Sequence, residues 1–322
     1  MTAILEVENL RKTFGGIVAV DGATFDIEEG SITGLIGPNG AGKTTTFNCI
    51  SGFYEPDGGE IRFRGRSLQQ LMAPSRDEQV IWGGASAFTF GVAGGIAGLG
   101  FLGLSPVASL GTLAGGAALG AGMYVGQERV KQSLSGHANT RPHMLARERL
   151  VRTFQITREL TEMTTLENLM LVPQGQAGEN LVNTWFRRGA VAREERAVRE
   201  RAEEMLELLE LDHVRDEEAG NLSGGQRKLL ELGRVLMVDP ELILLDEPVA
   251  GVNPSLTEKL TGRIETLRDE GYTFCIVEHD MEVIMDISDT IVVMSEGTKL
   301  TEGTPEEIQD DQTVIDAYLG VD

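Results

Sequence analysis

The chain has little cysteine. Two residues among 322, Cys49 and Cys275, each lie inside an apolar segment. Thiols so placed read as buried and reduced, since a disulfide framework or a cysteine metal site needs more partners. Lysine is scarce as well. Of 28 basic residues six are lysine, at positions 12, 43, 131, 228, 259 and 299, and the rest are arginine. Against them stand 50 carboxylates, giving a formal net charge of −22. Nothing in that balance would draw in a phosphate backbone, so no nucleic-acid partner is expected. Abundant carboxylate with scarce lysine suits a halophilic protein, kept soluble where salt screens its self-repulsion; an ordinary acidic cytosolic protein has the same balance. A basic stretch followed by an apolar run is missing at the start, which is the strand-like Ile4-Leu5-Glu6-Val7. No secretory signal is therefore expected, and the body of the protein should be cytoplasmic.

Charge is missing altogether from Gln79 to Gln127, a stretch that holds 14 of the 40 glycines. It divides at Ser105-Pro106 into two apolar halves, Val80–Leu104 and Val107–Val125. Each is long enough to cross a bilayer core, which needs about 20 apolar residues. Glycines recur four apart at Gly91/Gly95, Gly94/Gly98, Gly111/Gly115, Gly116/Gly120 and Gly122/Gly126, a spacing that lets helices approach closely in lipid. Both ends rejoin charged sequence, so only an even number of crossings is allowed. A hairpin inserted in the membrane at 80–126, a helical hairpin packed on protein, and a loop all stay open, because glycine disfavours helix in water.

What the chain has in quantity is short strands alternating with helices. Ile32-Thr33-Gly34-Leu35-Ile36 is an apolar strand feeding a glycine loop, and Leu242-Ile243-Leu244-Leu245 is a continuous apolar run, as expected of a strand covered on both faces. Residues 193–211 read as an amphipathic helix through Val198, Ala202, Met205 and Leu209. Another helix opens with Asn253 as N-cap and Pro254 in its first turn, and stops at Gly271. The expectation is an α/β domain with a largely parallel core.

Three clusters carry chemistry. Gly37-Pro38-Asn39-Gly40-Ala41-Gly42-Lys43-Thr44-Thr45 sits between a strand and a helix, as a phosphate-cradling loop must: glycines let backbone N–H groups converge on phosphate oxygens, and the helix N-terminus adds a favourable dipole. Lys43 would reach the β- and γ-phosphates and the Thr44 hydroxyl would ligate Mg²⁺. Asp246 closes the buried strand and would hold Mg²⁺, directly or through water; Glu247 is the candidate general base for the attacking water. Ser223, Gly224 and Gly225, followed by Gln226, open a helix and suit a γ-phosphate, although Ser-Gly-Gly alone is more often a cap and turn.

Leu222-Ser223-Gly224-Gly225-Gln226 lying between the phosphate loop and Asp246-Glu247 resembles the ABC ATPase family. The resemblance implies a P-loop ABC-type ATPase: a parallel core sheet, an antiparallel β subdomain and a helical subdomain over 156–235. It implies ATP and Mg²⁺ as ligands, with two ATP molecules shared between two head-to-tail cassettes. It also assigns Gln155 as the loop glutamine that senses Mg²⁺ and couples to a membrane partner, His279 as the switch histidine at the γ-phosphate, and Phe14 as the aromatic on adenine. Asn253 departs from the pattern, where many members carry aspartate. The interval from Lys43 to Gln155 is longer than the family pattern, so residues 76–142 read as an insertion.

Phe14-Gly15-Gly16-Ile17-Val18-Ala19-Val20, Arg152-Thr153-Phe154-Gln155, Leu166-Glu167-Asn168-Leu169, Ala250-Gly251-Val252-Asn253-Pro254 and Gly303-Thr304-Pro305-Glu306-Glu307-Ile308 narrow the resemblance. They are similar to the ATPases of branched-chain amino-acid importers, the LivG type. That implies a peripheral ATPase on the cytoplasmic face of the membrane. Its partners would be two permease subunits, a second ATPase subunit (a copy or a paralogue) and, indirectly, an external substrate-binding protein. Relatives with the same pattern serve urea, short amides or lipid, and other ABC ATPases drive no transport.

Overall fold

The structure is a computed structural model; it describes residues 2–72, 142–153, 159–173 and 188–319. Those up to Leu71 and from Pro142 onward belong to one compact unit.

Among the described residues ten strands form two sheets. β1 (Ala3–Phe14), β2 (Ile17–Glu28), β4 (Gly58–Phe63) and β5 (Arg66–Ser67) make an antiparallel sheet in the order β2-β1-β4-β5. The second sheet runs β10 (Thr298–Gly303), β9 (Thr290–Ser295), β3 (Ile32–Ile36), β8 (Thr273–Val277), β7 (Leu242–Asp246), β6 (Leu150–Arg152). Its pairings are parallel from β9 to β6, and only β10 is antiparallel, at an edge. β3, β7 and β8 are buried at every residue, which is why their sequences are apolar without alternation. The α/β class with mixed sheets thus follows from the pattern of runs.

Register is what matters for the site. β3, β8 and β7 are neighbours, with Leu35 opposite Val277 and Asp246 opposite Val277. Their carboxyl ends therefore bring Gly37, Glu247 and Glu278 to one edge of the sheet, the edge at which open α/β sheets bind ligands.

Helical boundaries moved a little. The amphipathic helix expected at 193–211 spans Arg188–Leu208, burying Ala202 and Leu206. The helix after Asn253 runs Pro254–Asp269; Asn253 accepts the Leu256 N–H as expected of an N-cap, and Gly271 takes a left-handed φ of 98° just beyond. Between 159 and 236 the described elements are helices: Thr165–Met170, Arg188–Leu208 and Gly224–Leu236, with 3₁₀ turns at Asp212–Val214 and Ala219–Asn221. The hairpin expected within 76–142 falls outside the described residues, apart from 142 itself. Among the described residues no helix is long and apolar enough to cross a membrane.

Candidate active site

The phosphate loop is the turn between β3 and the helix Lys43–Ile50. Gly37, Gly40 and Gly42 have φ of 148°, 85° and 93°, values that other residues rarely take. Two are also hemmed in: a side-chain carbon on Gly37 would lie 2.1 Å from the Met294 carbonyl oxygen, and one on Gly42 2.5 Å from that of Ala19. At Gly40 it would meet nothing within 4 Å, so the loop faces open space there. The Ala41 N–H donates to Pro38 O at 3.1 Å and closes the turn. Pro38 and Thr45 are half-buried, while Asn39 and Thr44 are exposed. Lys43 is 5% exposed, and its ammonium donates to the carbonyls of Gly37 (2.5 Å) and Pro38 (3.1 Å). Burial pushes its pKa down, opposed by the negative charge of Glu247. A cation held on the carbonyls of the loop, at the N-terminus of the helix Lys43–Ile50, is placed to meet an anion of high charge.

Glu247 follows β7 at φ 48°, a left-handed conformation uncommon for a glutamate, held by its N–H on Val277 O at 2.9 Å. His279 comes off the end of β8, and its Nε2 lies 3.0 Å from Glu247 Oε1. The structure thus brings together a candidate base and a candidate switch histidine that are 32 positions apart in the sequence. Asp246 is 8% exposed, with Oδ2 2.7 Å from Arg152 Nη2.

Ser223 caps the helix Gly224–Leu236: its side chain accepts the Gln226 N–H at 3.3 Å and its own N–H donates to Gln226 Oε1 at 2.9 Å. The Gln226 side chain is therefore engaged in the cap and lies 3.4 Å from His213 Nε2. Gly224 is exposed, Gly225 buried. Phe14 ends β1, 38% exposed, edge-on to Tyr54 at 5.1 Å with the Lys12 ammonium 5.5 Å from its ring. Phe14 stands at the sheet tip with the exposed Ile17, an apolar surface that a planar ring could cover. Gln155 lies outside the described residues.

Two residues that the sequence pattern did not single out hold the site in shape. Glu278 is buried and accepts the N–H groups of Val249 (2.8 Å) and His279 (3.1 Å); burial pushes its pKa up, and those two hydrogen bonds work against the shift. Lys228, on the helix Gly224–Leu236, donates to the carbonyls of Pro248 (2.6 Å) and Ala250 (2.9 Å). Both therefore clamp the segment after Glu247. The adjacency of Glu278 to His279 was the one available signal; Lys228 gave none. Among the described residues no three His, Cys, Asp or Glu side chains group around a metal position. Thr44 and Asp246 are the side chains able to hold a cation carried by a nucleotide's phosphates.

The ABC transporter family model matches residues 20–88 and 123–250. The model for branched-chain amino acid ATP-binding cassette transporters matches residues 298–322. The high-affinity branched-chain amino acid transport ATP-binding protein BraF of Pseudomonas aeruginosa is 36% identical, over 98% of this chain and 98% of its own. A probable branched-chain amino acid transport ATP-binding protein, LivG of Archaeoglobus fulgidus, is 35% identical, over 98% of this chain and 95% of its own. A solved ADP conformation of an ATP-binding cassette of an ABC transporter superposes with a TM-score of 0.66 at 30% identity, covering 99% of this chain and 100% of that one. Likeness at this level over nearly the whole length, on the same fold, makes the chain a member of the ABC transporter family of ATP-binding cassettes.

Proposed function

We propose that the chain is the ATP-hydrolysing subunit of an importer for branched-chain amino acids, working beneath separate membrane permeases. The observation that carries the reading is the convergence of Lys43, Asp246, Glu247 and His279 at adjoining strand ends. The loop Gly37–Thr45 and Lys43 bind the triphosphate. Thr44 and Asp246 would hold Mg²⁺, with Gln155 as the residue that senses it, and the ion would supply charge neutralisation at the phosphates. Glu247 orients and deprotonates the attacking water, and His279, 3.0 Å away, fixes the Glu247 carboxylate and faces the γ-phosphate. Phe14 stacks on adenine. Ser223, Gly224 and Gly225 serve the nucleotide of a second cassette, so two chains close around two ATP molecules.

The cargo follows the relatives' names and the match at 298–322. In this assembly the chain is peripheral, on the cytoplasmic face, and an external binding protein delivers substrate to the permeases. A urea, amide or lipid cargo is the competing reading, as is an ABC ATPase that drives no transport. Co-expression with candidate permeases and reconstitution into proteoliposomes separates these. ATP-dependent leucine uptake that is lost in Glu247→Gln is the expected result. Uptake of urea or a short amide in place of leucine would redirect the cargo. A chain that turns over ATP yet associates with no permease would sink the transport reading.

Ser223→Arg tests the shared site, since it leaves the chain's own phosphate loop intact. ATP should still bind the monomer while concentration-dependent hydrolysis fails; unchanged, concentration-independent hydrolysis would overturn the two-subunit site.

A further inference from the structure

Arg152 ends β6, and nothing in the chemistry above uses it. Its side chain is only 13% exposed. Nη1 donates to Asn48 Oδ1 at 2.6 Å and to Ser51 Oγ at 3.0 Å, and Nη2 donates to Asp246 Oδ2 at 2.7 Å. The guanidinium carbon lies 4.9 Å from the ring centroid of Phe47 and 5.1 Å from that of Phe53. Asn48 and Phe47 belong to the helix that begins at Lys43 and Thr44, and Asp246 is the tip of β7. One planar group therefore spans the helix bearing the phosphate-loop residues and the acidic strand end. Lysine could not do this: a point charge has no second arm, and it stacks less well on two rings. Nε is buried and finds no hydrogen-bond partner among the described residues, a cost accepted to place the two outer nitrogens.

We propose that Arg152 is a positioning residue for the nucleotide-bound cation. It engages one oxygen of Asp246, and so sets the orientation of the other relative to Thr44. The next residues along the chain after Arg152 lead to Gln155, so the same guanidinium ties the strand preceding that glutamine to the metal site. The proposal rests on the reading of Asp246 as a Mg²⁺ residue.

The test uses the full chain with Arg152→Met, Arg152→Lys and Asp246→Asn, and with Arg149→Gln as control. Arg149 ends the preceding turn and pairs with Glu241, remote from Asp246 in the strand register. Two quantities are read: the affinity of a non-hydrolysable ATP analogue with EDTA, and the Mn²⁺ affinity of the analogue complex by electron paramagnetic resonance. Arg152→Met should weaken Mn²⁺ binding about tenfold or more while metal-free analogue binding stays within about twofold. Arg152→Lys, which keeps the charge and should fold, is expected to show an intermediate loss of several fold, and the control none. Wild-type Mn²⁺ affinity in both Arg152 variants, with Asp246→Asn impaired, would overturn the proposal and spare the reading of Asp246. Wild-type Mn²⁺ affinity in Asp246→Asn would overturn that reading itself. Equal losses with and without metal would reduce Arg152 to a general structural role and overturn the proposal as well.

Discussion

Glu247 shows what a single backbone angle contributes. At φ 48° the chain leaves β7 in a conformation that costs a non-glycine residue free energy, about 1–3 kcal/mol for such outliers. The conformation persists because the hydrogen bond to Val277 O, the Glu278 carboxylate on Val249 N–H, and Lys228 on two carbonyls surround it. The result is a carboxylate set against His279 at the strand edge. Glu247→Gln keeps the shape and removes the basicity, so ATP turnover should fall about a hundredfold or more while ATP binding survives. Near-normal turnover in that variant would end its assignment as the base. Lys43 behaves in the opposite sense. Burial pushes its pKa down, so at neutral pH the folded chain holds this charge at a cost: stability tied to the group is greatest above the ordinary lysine pKa and declines as pH falls through the depressed value. Lys43→Met should therefore abolish ATP binding without lowering the thermal midpoint of the nucleotide-free protein at pH 7; a large drop in that midpoint would contradict the electrostatic account.

At the scale of elements, the helix Gly224–Leu236 and the helix after Asn253 come into close contact at Gly225. A side-chain carbon on the buried Gly225 would fall 1.6 Å from Leu256 Cδ2 and 2.6 Å from its Cγ. Any larger residue at 225 therefore has to displace the Leu256 side chain, independently of any phosphate it approaches. Leu256 sits in the first turn of the helix that Asn253 caps, so the segment following Glu247 and the segment Leu222–Gln226 are in contact through it. Gly225→Ala should destabilise the fold by about 1–3 kcal/mol through overpacking. Adding Leu256→Ala should recover part of that loss, and denaturation of the two single variants and the double variant measures the coupling. Strictly additive effects would show that the contact relaxes freely.

For the whole molecule, a net charge of −22 opposes compaction. Salt shortens the range of that repulsion, from about 10 Å at 0.1 M to about 3 Å at 1 M. The thermal midpoint should rise as KCl is increased over this range; a flat or falling midpoint would show that the surface ion pairs outweigh the net charge, and would remove the main support for salt adaptation. The interior makes a second global prediction. Cys49 and Cys275 are both buried free thiols, their pKa values pushed up to about 12 by burial. Neither should react with a thiol reagent at pH 8 until the chain unfolds, and both should react then. Rapid labelling of the native protein would mean that the core around β8 and the helix Lys43–Ile50 opens.

The sequence alone determined the parts whose physics is local. Apolar runs without alternation marked β3 and β7, because a strand buried on both faces has no polar side to show. Glycines between an apolar strand and a helix ahead of Lys43 marked the phosphate loop, and Asn253-Pro254 and Ser223 marked helix starts, since caps satisfy N–H groups a few residues away. The largely parallel second sheet matched that reading, and the antiparallel sheet matched what the family resemblance implied. Tertiary structure decided what depends on strands distant in sequence lying side by side. The parallel register of β7 with β8 set His279 against Glu247. The place of β6 beside β7 put Arg152 on Asp246, and the approach of two helices closed the space at Gly225. Lys228 had no pattern to be found by, and Glu278 only its adjacency to His279, because a buried carboxylate and a lysine that grip backbone groups owe their roles to a fold, not to a spacing.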